Sequence, residues 1–292
     1  MAARLRTLPL AFSSTIVGSF TAFSDGKFSF HVLVLTVVTT LLLQILSNFA
    51  NDYGDYTKGT DNGNRKGPKR TVQSGLIQPR QMLMAIVIVS VLAFLSGSML
   101  IFIGLQGTGF YTKLLFLIIG IVAIAAAVKY TIGKKPYGYV GLGDISVFLF
   151  FGLIGVVGTF YLHTHLFKLD LLLPATAIGL LSAGVLNLNN MRDIDNDRRS
   201  MKYTLAVIWG AQIARFYHLA LVIGAYVAVS IYFLINDYSV YSYIYLVLVP
   251  FFIQHLGIVF KNKQAESLDS ELKRLSLLTL VFSVLFSIGI VI

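Results

Sequence analysis

The sequence predicts an all-α membrane protein, a bundle of about nine transmembrane helices with its N-terminus in the cytoplasm and its C-terminus outside. Three observations predict it. Hydrophobic residues make up 56% of the 292 residues and charged ones 12%, with a mean hydropathy of +0.78, far more apolar content than one soluble core of this length uses. The apolar residues gather into runs near the roughly 20 residues that cross the hydrocarbon of a bilayer. The charges between the runs are distributed unevenly, as membrane topology requires.

Taken in order, the runs lie near 8–24, 31–50, 82–105, 112–128, 143–163, 171–188, 205–235, 241–260 and 275–292. The stretch 205–235 is too long for one span, which predicts a turn around Gly210 and Arg215. The N-terminus reaches the first run through Arg4 and Arg6 with no small-residue cleavage site, so the first span reads as retained. With the N-terminus and the second, fourth, sixth and eighth connections on one side, that side collects every Lys and Arg except Lys27, Lys113 and Lys168. One missed or invented helix would scramble this asymmetry, so it supports an odd helix count and places the collected side in the cytoplasm. The net charge of +10 is thus a topology signal and gives no reason to invoke nucleic acid. No long Pro, Ser or Gly linker interrupts the chain, so 1–292 reads as a single domain. The lack of cysteine excludes disulfides and thiolate metal ligands.

Against this background two polar clusters stand out at helix ends on the cytoplasmic side: Asn48, Asn51, Asp52, Asp55 and Asp61, then Asn190, Asp193, Asp195 and Asp197. Ionisable groups at a membrane segment are costly and are functional candidates for that reason. Asn48, Asp52 and Asp55 fall at i, i+4 and i+7, and Asn190, Asp193 and Asp197 at i, i+3 and i+7, so each set is predicted to line one helix face. Read singly, such residues are ordinary interfacial caps; two sets in register on one side point to a shared site. Oxygen ligands without thiolates suit a hard cation, and Mg²⁺ in particular binds through one or two carboxylates plus phosphate oxygens. A diphosphate is the natural third component. Lys66, Lys69, Arg70, Arg192 and Lys202 in the adjoining loops are candidate contacts for it, Arg as a bidentate clamp and Lys as a point charge. A third element, Tyr130-Thr131-Ile132-Gly133-Lys134, follows the fourth run; alone it is also what a membrane anchor looks like.

At these residues the chain resembles the UbiA superfamily of intramembrane aromatic prenyltransferases. The family's Asn-Asp-x-x-Asp motif reads here Asn51-Asp52-Tyr53-Gly54-Asp55, its Tyr-x-x-x-Lys motif Tyr130 to Lys134, and its Asp-x-x-x-Asp motif Asp193 to Asp197. One departure is Asp61, six residues after the first motif where many members place an Asp four residues on, so Asp61 is the less secure ligand. Within the superfamily, Asn48 to Tyr56, Pro136 to Asp144 and Asn189 to Asp193 resemble the branch that prenylates 1,4-dihydroxy-2-naphthoate in menaquinone synthesis. The resemblance implies a multi-pass protein of the cell inner (cytoplasmic) membrane, its site facing the cytoplasm. It implies ionisation of an allylic polyprenyl diphosphate, with two Mg²⁺ ions held by Asp52, Asp55, Asp193 and Asp197 with Asn48 and Asp61. Tyr130 would stabilise the allylic cation, Lys134 would meet the diphosphate, and Asn51, Asn190, Arg70, Arg192, Lys66 and Lys202 would complete substrate binding. Attack by the dihydroxynaphthoate ring with loss of CO₂ would give demethylmenaquinone. Another ring acceptor such as 4-hydroxybenzoate, and an ion-coupled transporter with acidic residues near the midplane, remain alternatives.

Overall fold

A chain segment inside hydrocarbon must satisfy its own backbone polar groups, and among the described residues the chain forms helices and no strand. The structure, a computed structural model, describes residues 2–62, 65–262 and 264–292. Met1, Gly63, Asn64 and Lys263 lie outside the described residues, and Lys263 is one of the cations expected on the cytoplasmic side. The helices are α1 (Leu8–Ser24), α2 (Phe30–Thr57), α3 (Pro79–Gly104), α4 (Phe110–Lys129), α5 (Gly143–Thr164), α6 (Leu172–Arg192), the short α7 (Ile194–Arg199), α8 (Leu205–Ile235), α9 (Val240–Lys261) and α10 (Ala265–Gly289). Eight of them, α2 to α6 and α8 to α10, are long and apolar enough to cross a membrane. The first, α1, has 17 residues and reaches about 26 Å.

Local chemistry sets several boundaries. Ser29 caps α2 by accepting from the Val32 N–H, and Thr204 does the same for α8 through Val207. Pro79 opens α3, where its missing N–H costs nothing. The turn anticipated within 205–235 is a one-residue break: Gly210 adopts φ 80° and ψ 165°, a conformation glycine alone takes easily. Arg215 lies inside the resumed helix, its guanidinium donating to the Asn262 carbonyl at 2.7 Å.

α6 is the most buried span. Its Ile178, Leu181 and Val185 join Val222, Ala225 and Val229 of α8 and Phe282 and Phe286 of α10 in one core. A Cβ on Gly152 of α5 would lie 2.6 Å from the Ala175 carbonyl and 2.8 Å from Gly179 Cα, so the backbones of α5 and α6 touch, as small residues allow in membranes. The residues Phe148–Val157 within α5 are π-helical, and the Ser14 hydroxyl of α1 donates to the Phe151 carbonyl there at 2.6 Å. In contrast, α4 has no fully buried residue and packs on α2 and α3. The space it leaves open belongs to the site.

Candidate active site

The last two turns of α2 carry the first polar cluster, and the loop residues 65–78 fold back over them. Asp52 is the loop's anchor: its Oδ2 accepts from the Thr71 N–H at 3.2 Å and hydroxyl at 2.5 Å, its Oδ1 from the Val72 N–H at 3.3 Å. Asp55 points elsewhere. It accepts from Arg70 Nη2 at 2.9 Å and the Tyr139 hydroxyl at 2.7 Å, with Lys202 Nζ at 3.4 Å.

The second cluster departs from the expected single stripe. α6 ends at Arg192, Asp193 sits at the break with φ −101° and ψ 11°, and Asp197 belongs to α7. The Asp197 N–H still reaches the Asp193 carbonyl at 2.8 Å, so the chain turns almost as a helix would while changing direction. Asp193 accepts from Arg192 Nε and Nη2 at 3.0 and 2.6 Å. The Asn196 amide donates to the Thr60 carbonyl at 2.8 Å and ties the two clusters' loops together. Thr131, after the fourth span, donates to the Ala50 carbonyl at 2.8 Å and to Asn51 at 3.3 Å, which brings the third motif to the first.

Between the clusters run three cations. Arg65 lies 3.3 Å from Asp61 and 3.4 Å from Asp193; Arg70 spans Asp55 and Asp61 at 2.9 and 3.2 Å; Lys202 spans Asp55 and Asp197 at 3.4 and 4.0 Å. Among the described residues no three acidic or His side chains converge as a ready-made metal cluster. Yet Asp197 Oδ2 and Asp61 Oδ2 are buried without a hydrogen-bond donor, a costly condition that an oxygen-seeking cation would relieve. Burial pushes the Asp197 carboxyl up to about 7, Lys202 only partly opposing it. Burial likewise raises Asp61 despite Arg70. Asp193 is held low: its burial is outweighed by Arg192.

A cavity of about 720 Å³ opens on this region. Its ionic end is lined by Asn48, Asn51, Asp55, Arg70, Tyr130, Asn190 and Lys202, and the rest mainly by apolar side chains of α1 to α6, with Thr36, Thr39, Thr40 and Gln44 of α2 among them. Asp52, Asp61, Asp193, Asp197 and Arg192 form a buried layer behind those residues. Lys134 is exposed and Lys66 pairs with Glu266 at the surface, 2.9 Å apart, so the structure brings neither to the cavity.

Arg4, Arg6 and Asn189 also line the ionic end, although nothing in the sequence separates the two arginines from ordinary positive-inside residues. Arg4 takes a left-handed conformation, φ 48°, which turns its side chain into the bundle, and its buried Nη2 has no hydrogen-bond partner. Burial, then Arg70 and Arg65, pull its guanidinium well below the usual range. Arg70, despite its burial, is instead held above the usual range by Asp55 and Asp61. Asp269 of α10 accepts from Arg6 Nη1 and from Arg192 Nη1, 2.5 Å in each case, and so ties Arg6, just before α1, to Arg192 at the end of α6.

These features define a multi-pass membrane protein with an ionic cleft at one end of an apolar tunnel. The sequence model of the UbiA prenyltransferase family matches residues 11–286. The 1,4-dihydroxy-2-naphthoate octaprenyltransferase of Haemophilus influenzae is 42% identical over 292 aligned residues, covering 99% of this chain and 94% of that protein. Among solved structures, an apo UbiA homologue from Aeropyrum pernix K1 superposes with a TM-score of 0.70 at 16% identity, covering 99% of this chain and 98% of that one. A UbiA homologue from Archaeoglobus fulgidus, bound to DMAPP and Mg²⁺, gives 0.59 at 16% identity over 98% of each chain. The chain belongs to the UbiA prenyltransferase family.

Proposed function

We propose that this protein is a single-domain enzyme of the bacterial inner membrane. It transfers a polyprenyl group from an allylic polyprenyl diphosphate to 1,4-dihydroxy-2-naphthoate, releasing diphosphate and CO₂ and forming demethylmenaquinone. The observation that carries this is the cavity's two-part lining, a cation-rich ionic end continuous with an apolar tunnel, which matches a charged head on a hydrocarbon tail. The 42% identity to a naphthoate octaprenyltransferase over nearly the whole chain supports the acceptor. The ionic end faces the cytoplasm, in line with the positive-inside bias of the loops around it.

Arg4, Arg70 and Lys202 bind the diphosphate, Arg through paired N–H donors. Asp55 faces the cavity and, with the oxygens of Asp197, Asp61, Asn48, Asn51 and Asn190, would hold Mg²⁺, the ion found in the Archaeoglobus homologue. Mg²⁺, when bound, stabilises the charge that builds on the departing diphosphate. Asp52 and Asp193, whose oxygens already accept from Thr71, Val72 and Arg192, hold the loop and Arg192. Tyr130 lines the cavity with Tyr137 packed edge-on, ring centroids 5.3 Å apart. Burial, then Asp144, keep the Tyr130 phenol protonated, so its ring offers a neutral face to an allylic cation, a contact worth about 2 kcal/mol when desolvated. The apolar walls exclude water that would otherwise capture the cation.

The test is direct. Purified protein with Mg²⁺, octaprenyl diphosphate and 1,4-dihydroxy-2-naphthoate should release diphosphate and CO₂ and yield the prenylated naphthoquinol by mass spectrometry. Turnover with 4-hydroxybenzoate in preference to the naphthoate would overturn the acceptor assignment.

A further inference from the structure

Tyr130, Tyr137 and Tyr139 follow the fourth span within one short segment, and the first two line the cavity. Tyr139 is buried outside that lining. Pro136 leads into a 3₁₀ turn over Tyr137–Tyr139, and the Gly138 N–H hangs this turn on the Tyr130 carbonyl at 3.0 Å. A Cβ on Gly138 would stand 2.7 Å from that carbonyl oxygen, so the close approach needs glycine. The turn thereby sends Tyr139 to the end of α2 while Tyr130 and Tyr137 stay with the cavity.

At α2 the Tyr139 hydroxyl is held from two sides. It donates to Asp55 Oδ1 at 2.7 Å, and the Thr60 hydroxyl lies 2.7 Å from it. A phenol has one hydrogen to give. With that hydrogen on Asp55, Thr60 is the donor to Tyr139, and the chain from Thr60 through Tyr139 to Asp55 runs in one direction. The backbone fixes both members: the Thr60 carbonyl accepts from the Asn196 amide at 2.8 Å, and the Tyr139 carbonyl from the Tyr203 N–H at 2.9 Å. The ring is held as well, with Lys202 Nζ 5.2 Å and Lys58 Nζ 5.5 Å from its centroid, within the range of cation–π attraction.

The other partners of Asp55, Arg70 and Lys202, are charged and line the cavity. A bound diphosphate competes with Asp55 for them. Tyr139 is neutral and outside the lining, so a diphosphate does not draw it away. It is the donor that stays with Asp55 when the cations turn to the ligand, and hydrogen bonds behind a metal-binding carboxylate set its orientation and its affinity.

We propose that Tyr139 is a positioning residue for the reaction, its hydroxyl, backed by Thr60, holding the Asp55 carboxylate in the orientation that binds Mg²⁺. The inference rests on the prenyl-transfer reading above and adds the residue that orients the metal-binding carboxylate.

The experiment uses the intact protein and two readouts, each over a Mg²⁺ titration. One is turnover of octaprenyl diphosphate with 1,4-dihydroxy-2-naphthoate; the other is thermal stabilisation by Mg²⁺ with methylenediphosphonate as the diphosphate probe. Tyr139→Phe removes the hydroxyl and keeps the ring. It should raise the Mg²⁺ midpoint of both readouts about 10-fold or more, the scale of a partner lost behind a metal ligand, with turnover recovering at saturating Mg²⁺. Thr60→Val leaves the phenol in place without its second partner and should move both midpoints the same way by a smaller factor; it serves if Tyr139→Phe does not accumulate. Reduced turnover with unmoved Mg²⁺ midpoints would mean that Tyr139 only supports the fold, and overturns the proposal. If the wild type makes no prenylated product, the catalytic reading falls, and the stabilisation assay alone decides the role of Tyr139. Equal midpoints there for wild type and Tyr139→Phe, or no Mg²⁺-dependent stabilisation of the wild type, overturn it.

Discussion

Thr71 grips Asp52 with both its backbone N–H and its hydroxyl, at 3.2 and 2.5 Å. Three residues on, Asp55 faces the cavity. One motif thus has two environments: Asp52 anchors the loop that carries Arg65 and Arg70, and Asp55 faces the cavity. Asp52→Ala should lower stability by about 2 kcal/mol or more, since hydrogen bonds to a charged group contribute about 1.5–3 kcal/mol each. It should also open the loop 58–78 to limited proteolysis, with turnover lost as Arg70 moves. A proteolysis pattern identical to wild type would show that the strut is dispensable.

Asp55→Asn should behave differently. The loop anchor is untouched, so the proteolysis pattern stays near wild type, while thermal stability falls because the buried Arg70 and Lys202 lose their carboxylate. Turnover should fall by on the order of 100-fold or more, because several kcal/mol of charge stabilisation depend on this site and each 1.4 kcal/mol is tenfold in rate. Steady-state kinetics over a Mg²⁺ titration checks this; raising Mg²⁺ should recover part of the loss.

The Asp197 carboxyl gives the site a pH dependence. Burial raises it to about 7 from an ordinary 3.8, so the folded, cation-free protein binds more protons than the unfolded chain between those values. Its contribution to stability is therefore complete below about pH 4 and is lost as pH rises through about 7. Cation binding needs the carboxylate and so runs the other way. Thermal unfolding should show the stabilisation by Mg²⁺ growing between about pH 6 and pH 8, and Asp197→Asn should flatten that growth.

The acidic residues, the spans and the pairing of the two clusters were legible in the sequence because each has a local signal: hydrophobic length, or carboxylates at helical spacing. The break at Asp193 was not, since i, i+3, i+7 spacing is equally compatible with a tight turn between two helices. Lys134 and Lys66 fit a motif or adjoin one but emerge on the surface, because loop direction is set by tertiary anchors such as Asp52 and Thr131. The reverse holds for Arg4 and Asp269. Arg4 reaches the cavity through a left-handed residue that no periodicity announces, and Asp269 meets Arg192 across 77 residues of chain.

The cations themselves sort by position, and Arg4 provides the sharpest test. It is buried with Nη2 unpartnered and crowded by Arg70 and Arg65, so in the ligand-free protein its charge is a cost. Arg4→Gln should leave thermal stability unchanged or raised, while KM for the prenyl diphosphate rises about 10-fold, the scale of one lost charge-assisted contact. Arg70→Gln should be worse on both counts, because Asp55 and Asp61 lose the partner that lies 2.9 and 3.2 Å away. Lys66→Ala and Lys134→Ala, which lie outside the cavity lining, should leave kcat and KM near wild type. Equal effects at Arg4 and Lys134 would mean that anion binding depends on the overall positive charge of this face and not on the cations aimed into the cavity.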